Sequence, residues 1–221
     1  MGQIQACLFD LDGVIVDTAR YHYIAWKRIA DELGFDFTEY DNERLKGVSR
    51  VRSLEILLEI GHLSLDPAAK ERLAARKNQW YVDMISQMGP SEILPGARRF
   101  LDELRAGGVK TGLGSASKNA MTILRNIGMV DCFDVIIDGT KTSTAKPDPE
   151  VFLLGARALQ VAPGQCVVFE DAEAGIEAAI RAGMYAVGVG SPATLSRAHL
   201  VVRSLADMSL ERLRFLQAAG E

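Results

Sequence analysis

The 221-residue sequence is 48% hydrophobic and 24% charged, the balance of an ordinary globular protein, which excludes a disordered or low-complexity chain. Its formal net charge of -4 excludes a broad basic face for nucleic-acid backbones, so small anions held by local basic clusters are the expected partners. No apolar run approaches the ~20 residues of a membrane span, and the N-terminal stretch lacks the basic and apolar regions of a secretion signal. No nucleic acid and no membrane is therefore expected as a partner. Cys7, Cys132 and Cys166 are widely spaced beside apolar runs, which reads as buried free thiols in a reducing, cytoplasmic setting.

Ile4 to Phe9 is a near-continuous apolar run, the pattern of a parallel strand buried on both faces. It ends on Asp10-Leu11-Asp12-Gly13-Val14, a costly acidic turn unless something cationic sits there. Asp17 or Thr18 then caps a helix running to about Leu33, with Trp26, Ile29, Ala30 and Leu33 on one face and Gly34 as its stop. A second helical pattern follows Ser49, with Leu54, Leu57 and Leu58 before Gly61. A third starts at Asp66-Pro67 and runs through Leu73, Trp80 and Met84 to about Met88.

After Pro95-Gly96 the rhythm changes to alternating helix and strand. Strands are expected at Val109 to Leu113, Val135 to Ile137, Cys166 to Phe169, Ala186 to Val189 and Leu200 to Val202. Helices are expected through Phe100 and Leu104, after the Ser115 loop, through Phe152 and Leu159, through Ile176 and Ile180, and after Ser209. This alternation predicts an α/β fold: a Rossmann-like, mostly parallel sheet core formed by residues 1–16 and 89–221, with residues 17–88 inserted as an all-helical cap domain. A cap on two linkers can open and close over a cleft.

Four loops follow expected strands and gather at one edge of such a sheet, where open α/β folds bind ligands. Asp10 can attack a phosphoryl phosphorus once donors neutralise the incoming oxygens. Mg²⁺ suits the oxygen-rich set of Asp10, the backbone carbonyl of Asp12, Glu170 and Asp171. Ser115 and the neighbouring backbone N–H groups can hold the same phosphoryl group, Lys146 adds a fixed positive charge, and Asp12 can serve as general acid and base. Each of these residues alone reads as a cap or a loop residue; their joint occurrence at successive strand ends points to phosphoryl transfer.

Phe9-Asp10-Leu11-Asp12-Gly13-Val14, the Ser115 loop, Lys146-Pro147-Asp148-Pro149 and Glu170-Asp171 together resemble the four signature motifs of the haloacid dehalogenase superfamily, in that family's order. Asp17 to His22, Trp26, Leu45 to Arg50, Arg76-Lys77-Asn78 and Ser115 to Asn119 resemble its sugar-phosphate mutase branch. That resemblance implies interconversion of β-D-glucose 1-phosphate and glucose 6-phosphate through β-glucose 1,6-bisphosphate, which acts as an activating intermediate, with Asp10 carrying the phosphoryl group. It also implies that Thr18 and His22 lie in the hinge and couple cap closure to Asp12. Trp26, Ser53 and Lys77 then lie near the sugar or the cap interface, and Lys46, Gly47, Val48, Ser49, Ala116 and Ser117 line the substrate site. Thr18, His22 and Trp26 recur at a spacing of four and so share one helix face. Arg50 is suited to a distal phosphate, completed by Ser117, Lys118 and Asn119.

Two stretches depart from the resemblance. The segment before Lys146 reads Ser143-Thr144-Ala145, and Val51-Arg52 stands where an acidic residue is common, which predicts a more positive distal site. The rival reading is a sugar-phosphate phosphatase with the same aspartate and water as acceptor. A non-enzymatic phospho-aspartate switch leaves the cap residues without a role. No heptad seam or long apolar edge demands assembly, so a monomer is expected.

Overall fold

The computed structural model describes residues 3–45 and 48–218. Among these residues six strands form one sheet: β1 (Ala6–Phe9), β2 (Lys110–Gly114), β3 (Val135–Ile137), β4 (Cys166–Glu170), β5 (Tyr185–Val189) and β6 (Leu200–Val202). Their order is β3-β2-β1-β4-β5-β6, and every pairing is parallel. The helices are α1 (Ala19–Leu33), α2 (Glu39–Glu43), α3 (Arg50–Ile60), α4 (Pro67–Ile85), α5 (Ala97–Ala106), α6 (Ala120–Asn126), α7 (Glu150–Leu159), α8 (Glu173–Arg181) and α9 (Leu210–Ala218). None is long and apolar enough to cross a membrane.

β1 is central because all of its residues are apolar and both of its faces are covered: Ala6, Cys7, Leu8 and Phe9 are all fully buried. Phe9 pairs with Phe169 across the sheet, and the two rings stack at 4.7 Å. Such a pair adds about 0.5–1.5 kcal/mol to the burial of its area. Cys7, Phe9, Phe100, Leu113 and Phe169 belong to the core on one face of the sheet; Leu8, Phe152, Val168 and Ile176 belong to the other. The three cysteines are free and buried, as expected.

The helical block has an apolar cluster of its own, built from Trp26, Ile29, Phe37, Leu54 and Leu57. Tyr81 and Ile85 at the end of α4, with Met88 just beyond it, instead join the sheet's core and anchor the block there. The two segments that join the block to the sheet touch each other: Val16 bridges Ile93 in antiparallel fashion, and Leu94 N–H donates to Ile15 O at 2.9 Å.

Some helix ends differ from the sequence expectation for local reasons. At the start of α1, Asp17 Oδ1 accepts the Ala19 N–H at 3.1 Å, while Thr18 makes no side-chain cap because its hydroxyl is turned to Asp12. α4 stops at Ile85, short of Met88, where Ser86 Oγ donates to Asp83 O at 2.7 Å. α2 was not anticipated; it is too short for an apolar stripe and is fixed by a reciprocal box between Thr38 and Asp41.

Candidate active site

The strand register places the chemistry. Phe9 lies opposite Leu113 on one side and Phe169 on the other, so Asp10, Gly114 and Glu170 reach the same sheet edge. Asp10 N–H donates to Phe169 O at 2.9 Å, which continues the ladder one residue and fixes the backbone of the aspartate. Its carboxylate is held from two sides. Oδ2 accepts the Asp12 N–H at 2.9 Å, and Oδ1 accepts from Lys146 Nζ at 2.5 Å.

Lys146 is almost wholly buried and spends all three of its N–H groups, on Asp10, on Gly114 O at 3.0 Å and on Glu170 Oε1 at 3.4 Å. Burial opposes its charge, but the carboxylates of Asp10 and Glu170 more than offset this and hold the ammonium above its ordinary range. Burial raises the Glu170 carboxyl, Lys146 opposes that rise, and the neighbouring carboxylates of Asp10 and Asp171 add to it. Such a group asks for further positive charge.

Asp10, Glu170 and Asp171 each bring one oxygen within 4.8 Å of the others, a donor set suited to a hard cation such as Mg²⁺. Two glycines make room for these carboxylates. Gly13 has φ of 77°, and a Cβ there would collide with the Asp171 carboxylate; a Cβ on Gly175 would collide with Glu170.

Asp12 stands beside this cluster and accepts a hydrogen bond from the fully buried Thr18 hydroxyl. Desolvation, then the charge of Asp10, push its carboxyl up to about 7, against the Thr18 bond and the lysines Lys146 and Lys77. A carboxyl in that range serves equally as proton donor and acceptor near neutrality.

A cleft of about 440 Å³ opens over the sheet edge, between it and the helical block. Asp10, Asp12, Ser115 and Asp171 line its floor; His22, Trp26, Val48, Ser49, Arg50, Ser53 and Lys77 line the helical side; Ala116, Ser117, Lys118 and Asn119 line the β2 loop. Thr18, Lys146 and Glu170 stand behind this lining, with Thr18 bonded to Asp12, Lys146 to Asp10 and Glu170 to Lys146. Lys46 and Gly47 lie outside the described residues. In the β2 loop, Ser115 Oγ accepts the Ser117 N–H at 3.1 Å and Ser117 Oγ accepts the Asn119 N–H at 3.2 Å. Asn119 Nδ2 also donates to Asn78 Oδ1 of α4 at 3.1 Å, tying this loop to the helical block.

Arg50 opens α3 behind its N-cap Ser49. A guanidinium in a first turn works against the helix dipole, and both become favourable once an anion sits there. Arg52, by contrast, is turned away by Glu55 at 3.1 Å and Glu59 at 3.0 Å on its own helix. The expectation of extra positive charge from Val51-Arg52 is therefore corrected: Val51 lines the cleft and Arg52 does not.

Lys77 and His22 form a pair that spans two helices, with Lys77 Nζ donating to His22 Nδ1 at 2.8 Å and lying 4.7 Å from the ring centres of Trp26 and Tyr81. Burial, then the charges of Lys77 and Arg50, keep His22 well below its usual range, so its neutral ring accepts at Nδ1. Lys77 itself falls from 10.5 to about 7 through burial and Arg50, opposed by Asp12.

The unfolded chain holds the Lys77 proton up to pH ~10.5 and the folded chain only to ~7, so this group weakens folding as pH falls through that window. At pH 6 a shift of that size opposes folding by about 4–5 kcal/mol, more than the about 1–3 kcal/mol that orphaning His22 Nδ1 costs. Lys77→Met is expected to raise the melting temperature at pH 6.5 by at least about 2 °C, with the gain shrinking toward pH 10. Thermal melts at the two pH values check this.

Among the described residues, the buried polar side-chain atoms without a hydrogen-bond partner are Asn42 Oδ1 and Tyr81 Oη, and both residues line the cleft. Sequence reasoning missed both. Tyr81 was within reach, since it lies four residues after Lys77 on one helix face. Nothing in the sequence marks Asn42.

The haloacid dehalogenase-like hydrolase model matches residues 4–183. The chain is 47% identical over 212 residues to a beta-phosphoglucomutase of Bacillus subtilis, covering 95% of this chain and 94% of that protein. It is 32% identical over 185 residues to a phosphorylated carbohydrates phosphatase of Thermotoga maritima, covering 82% of each. Among solved structures, a beta-phosphoglucomutase from Clostridium difficile superposes with a TM-score of 0.94 at 43% identity, covering 99% of each chain. With its motifs at the matching strand ends, this chain belongs to the haloacid dehalogenase-like hydrolase family.

Proposed function

We propose that this protein is a phosphomutase that interconverts β-D-glucose 1-phosphate and glucose 6-phosphate, with Asp10 as the phosphoryl carrier and β-glucose 1,6-bisphosphate as the intermediate. The observation that carries the reading is the second anion-binding set. Arg50, Ser117, Lys118 and Asn119 line the same cleft as Asp10, yet one phosphate needs only the Asp10 end. The 47% identity to the Bacillus subtilis beta-phosphoglucomutase supports it.

In the forward step an Asp10 carboxylate oxygen attacks the phosphorus of the bisphosphate and the sugar oxygen leaves with a proton from Asp12. In the return step a hydroxyl of the next sugar phosphate gives its proton to Asp12 and attacks the aspartyl phosphate, which frees the Asp10 carboxylate. Ser115 holds the phosphoryl oxygens, and Lys146, bonded to Asp10, supplies a fixed positive charge beside them. Asp10, Glu170, Asp171 and the Asp12 carbonyl are the groups that would hold Mg²⁺, which when bound neutralises charge building on the transferring phosphoryl group. Residues 17–88 act as the cap: closed, it excludes water and brings a sugar hydroxyl to the aspartyl phosphate.

The test supplies β-glucose 1-phosphate, Mg²⁺ and trace β-glucose 1,6-bisphosphate, and measures glucose 6-phosphate and inorganic phosphate together. Glucose 6-phosphate is expected to dominate; predominant phosphate release contradicts the reading and favours the phosphatase. Arg50→Ala is expected to lower kcat/KM on the sugar phosphate by about 10- to 100-fold, the worth of a lost charged hydrogen-bond pair, while leaving phosphorylation of Asp10 by a small acyl phosphate unchanged. Equal losses on both donors would place Arg50 outside the distal site.

A further inference from the structure

Between β3 and α7 the chain runs from Asp138 to Pro149 without regular structure, yet it delivers Lys146 to Asp10 and lines the cleft with Thr142, Ser143, Thr144 and Ala145. Its first turn is held by Asp138, whose Oδ1 accepts from Thr140 N–H at 3.0 Å. Its far half is held by Glu150, the first residue of α7. Glu150 Oε2 accepts from Ser143 N–H at 2.8 Å, Thr144 N–H at 2.7 Å and Thr144 Oγ1 at 2.7 Å, and Oε1 accepts from Ser143 Oγ at 2.8 Å. Asp148 N–H closes the turn on Ala145 O at 3.0 Å. The Ser143 and Thr144 hydroxyls double the number of bonds that the two amides alone would make.

We propose that Glu150 is a positioning residue for phosphoryl transfer: by clamping Ser143 and Thr144 it fixes the loop that sets Lys146 on Asp10 and forms one wall of the cleft. The proposal rests on the reading of Asp10 as the nucleophile. Four short bonds to one carboxylate also agree with the Glu150 carboxyl being held down to about 2, first by the Thr144 hydroxyl and amide and then by the Ser143 hydroxyl. Lys146 must stabilise charge within a narrow geometry, and displacement of about 1 Å in such a group can lower turnover ~100-fold. A loose clamp therefore acts on the chemical step and spares the distal phosphate contacts.

The test compares Glu150→Ala with Glu150→Gln. Alanine removes all four bonds. Glutamine keeps them, with its carbonyl oxygen in the three-donor place and its NH₂ donating to Ser143 Oγ, which turns from donor to acceptor. Glu150→Ala is expected to lower kcat about 10- to 100-fold with KM within about threefold, and Glu150→Gln to recover most of that loss. In hydrogen exchange, the Ser143 and Thr144 amides are expected to lose at least about tenfold protection in the alanine variant and to keep it in the glutamine variant.

A Glu150→Ala enzyme with kcat within threefold of the parent overturns the proposal. So does a glutamine variant as impaired as the alanine one, which would assign the role to charge and not to the clamp. If Asp10→Asn were found to retain turnover, the nucleophile reading would fall instead, and hydrogen exchange would still judge the clamp.

Discussion

Asp10→Asn is expected to lower mutase turnover by at least about four orders of magnitude, the scale on which enzymes lose activity when a nucleophile is removed. The amide matches the carboxylate in shape but lacks the anionic lone pair that the proposed attack on phosphorus needs. The substitution is not silent in the fold either. Asp10 accepts on both oxygens, from Asp12 N–H and from Lys146 Nζ, whereas asparagine offers one acceptor and turns donors toward the other partner. Lys146 keeps Gly114 O and Glu170, so the loss of stability is confined to about 1–3 kcal/mol and the variant folds. Product assays and thermal melts check the two parts separately. Turnover above about one per cent of the parent would remove Asp10 from the centre of the mechanism.

Lys146→Met carries the second large effect, because it acts on catalysis and stability together. The ammonium is enclosed by Asp10, Glu170 and Gly114 O, so its removal leaves two carboxylates facing each other in a buried site with Asp171 close by. Breaking a buried ion pair by deleting one partner costs about 3–5 kcal/mol. Turnover is expected to fall by at least about 1,000-fold, since the positive charge opposite the transferring phosphoryl group is lost. The metal-free variant is expected to melt lower than the parent, and added Mg²⁺ to raise its melting temperature more than that of the parent, by supplying charge that the lysine gave. The absence of any Mg²⁺ response in both proteins would contradict the assignment of these carboxylates to one cation site.

The strand-end carboxylates were legible because a parallel strand buried on both faces leaves a carboxylate at its end without a packing reason. Asp10, Glu170 and Asp171 stand out for that reason, and the register of β1, β2 and β4 brings them together as expected. α1, α3 and α4 were legible from Gly34, Ser49 and Asp66-Pro67, all of which stop or cap their helices. α2 was not, because five polar residues have no periodicity to show. The pair of Lys77 with His22 was hidden for another reason, since its members lie on different helices and only tertiary packing joins them. The orientation of Arg52 follows from Glu55 and Glu59 on its own helix, a spacing visible in the sequence but outweighed there by its nearness to Arg50.

In the proposed cycle a phosphoryl group rests on Asp10 and then passes to a sugar hydroxyl. Its most direct test incubates the protein with β-glucose 1,6-bisphosphate and Mg²⁺, quenches part of the sample in acid for peptide mass analysis, and chases the rest with β-glucose 1-phosphate. One phosphoryl group is expected on the peptide bearing Asp10, followed by its transfer to sugar during the chase. A phosphoryl group on another residue, or its release as inorganic phosphate in place of transfer, would contradict it.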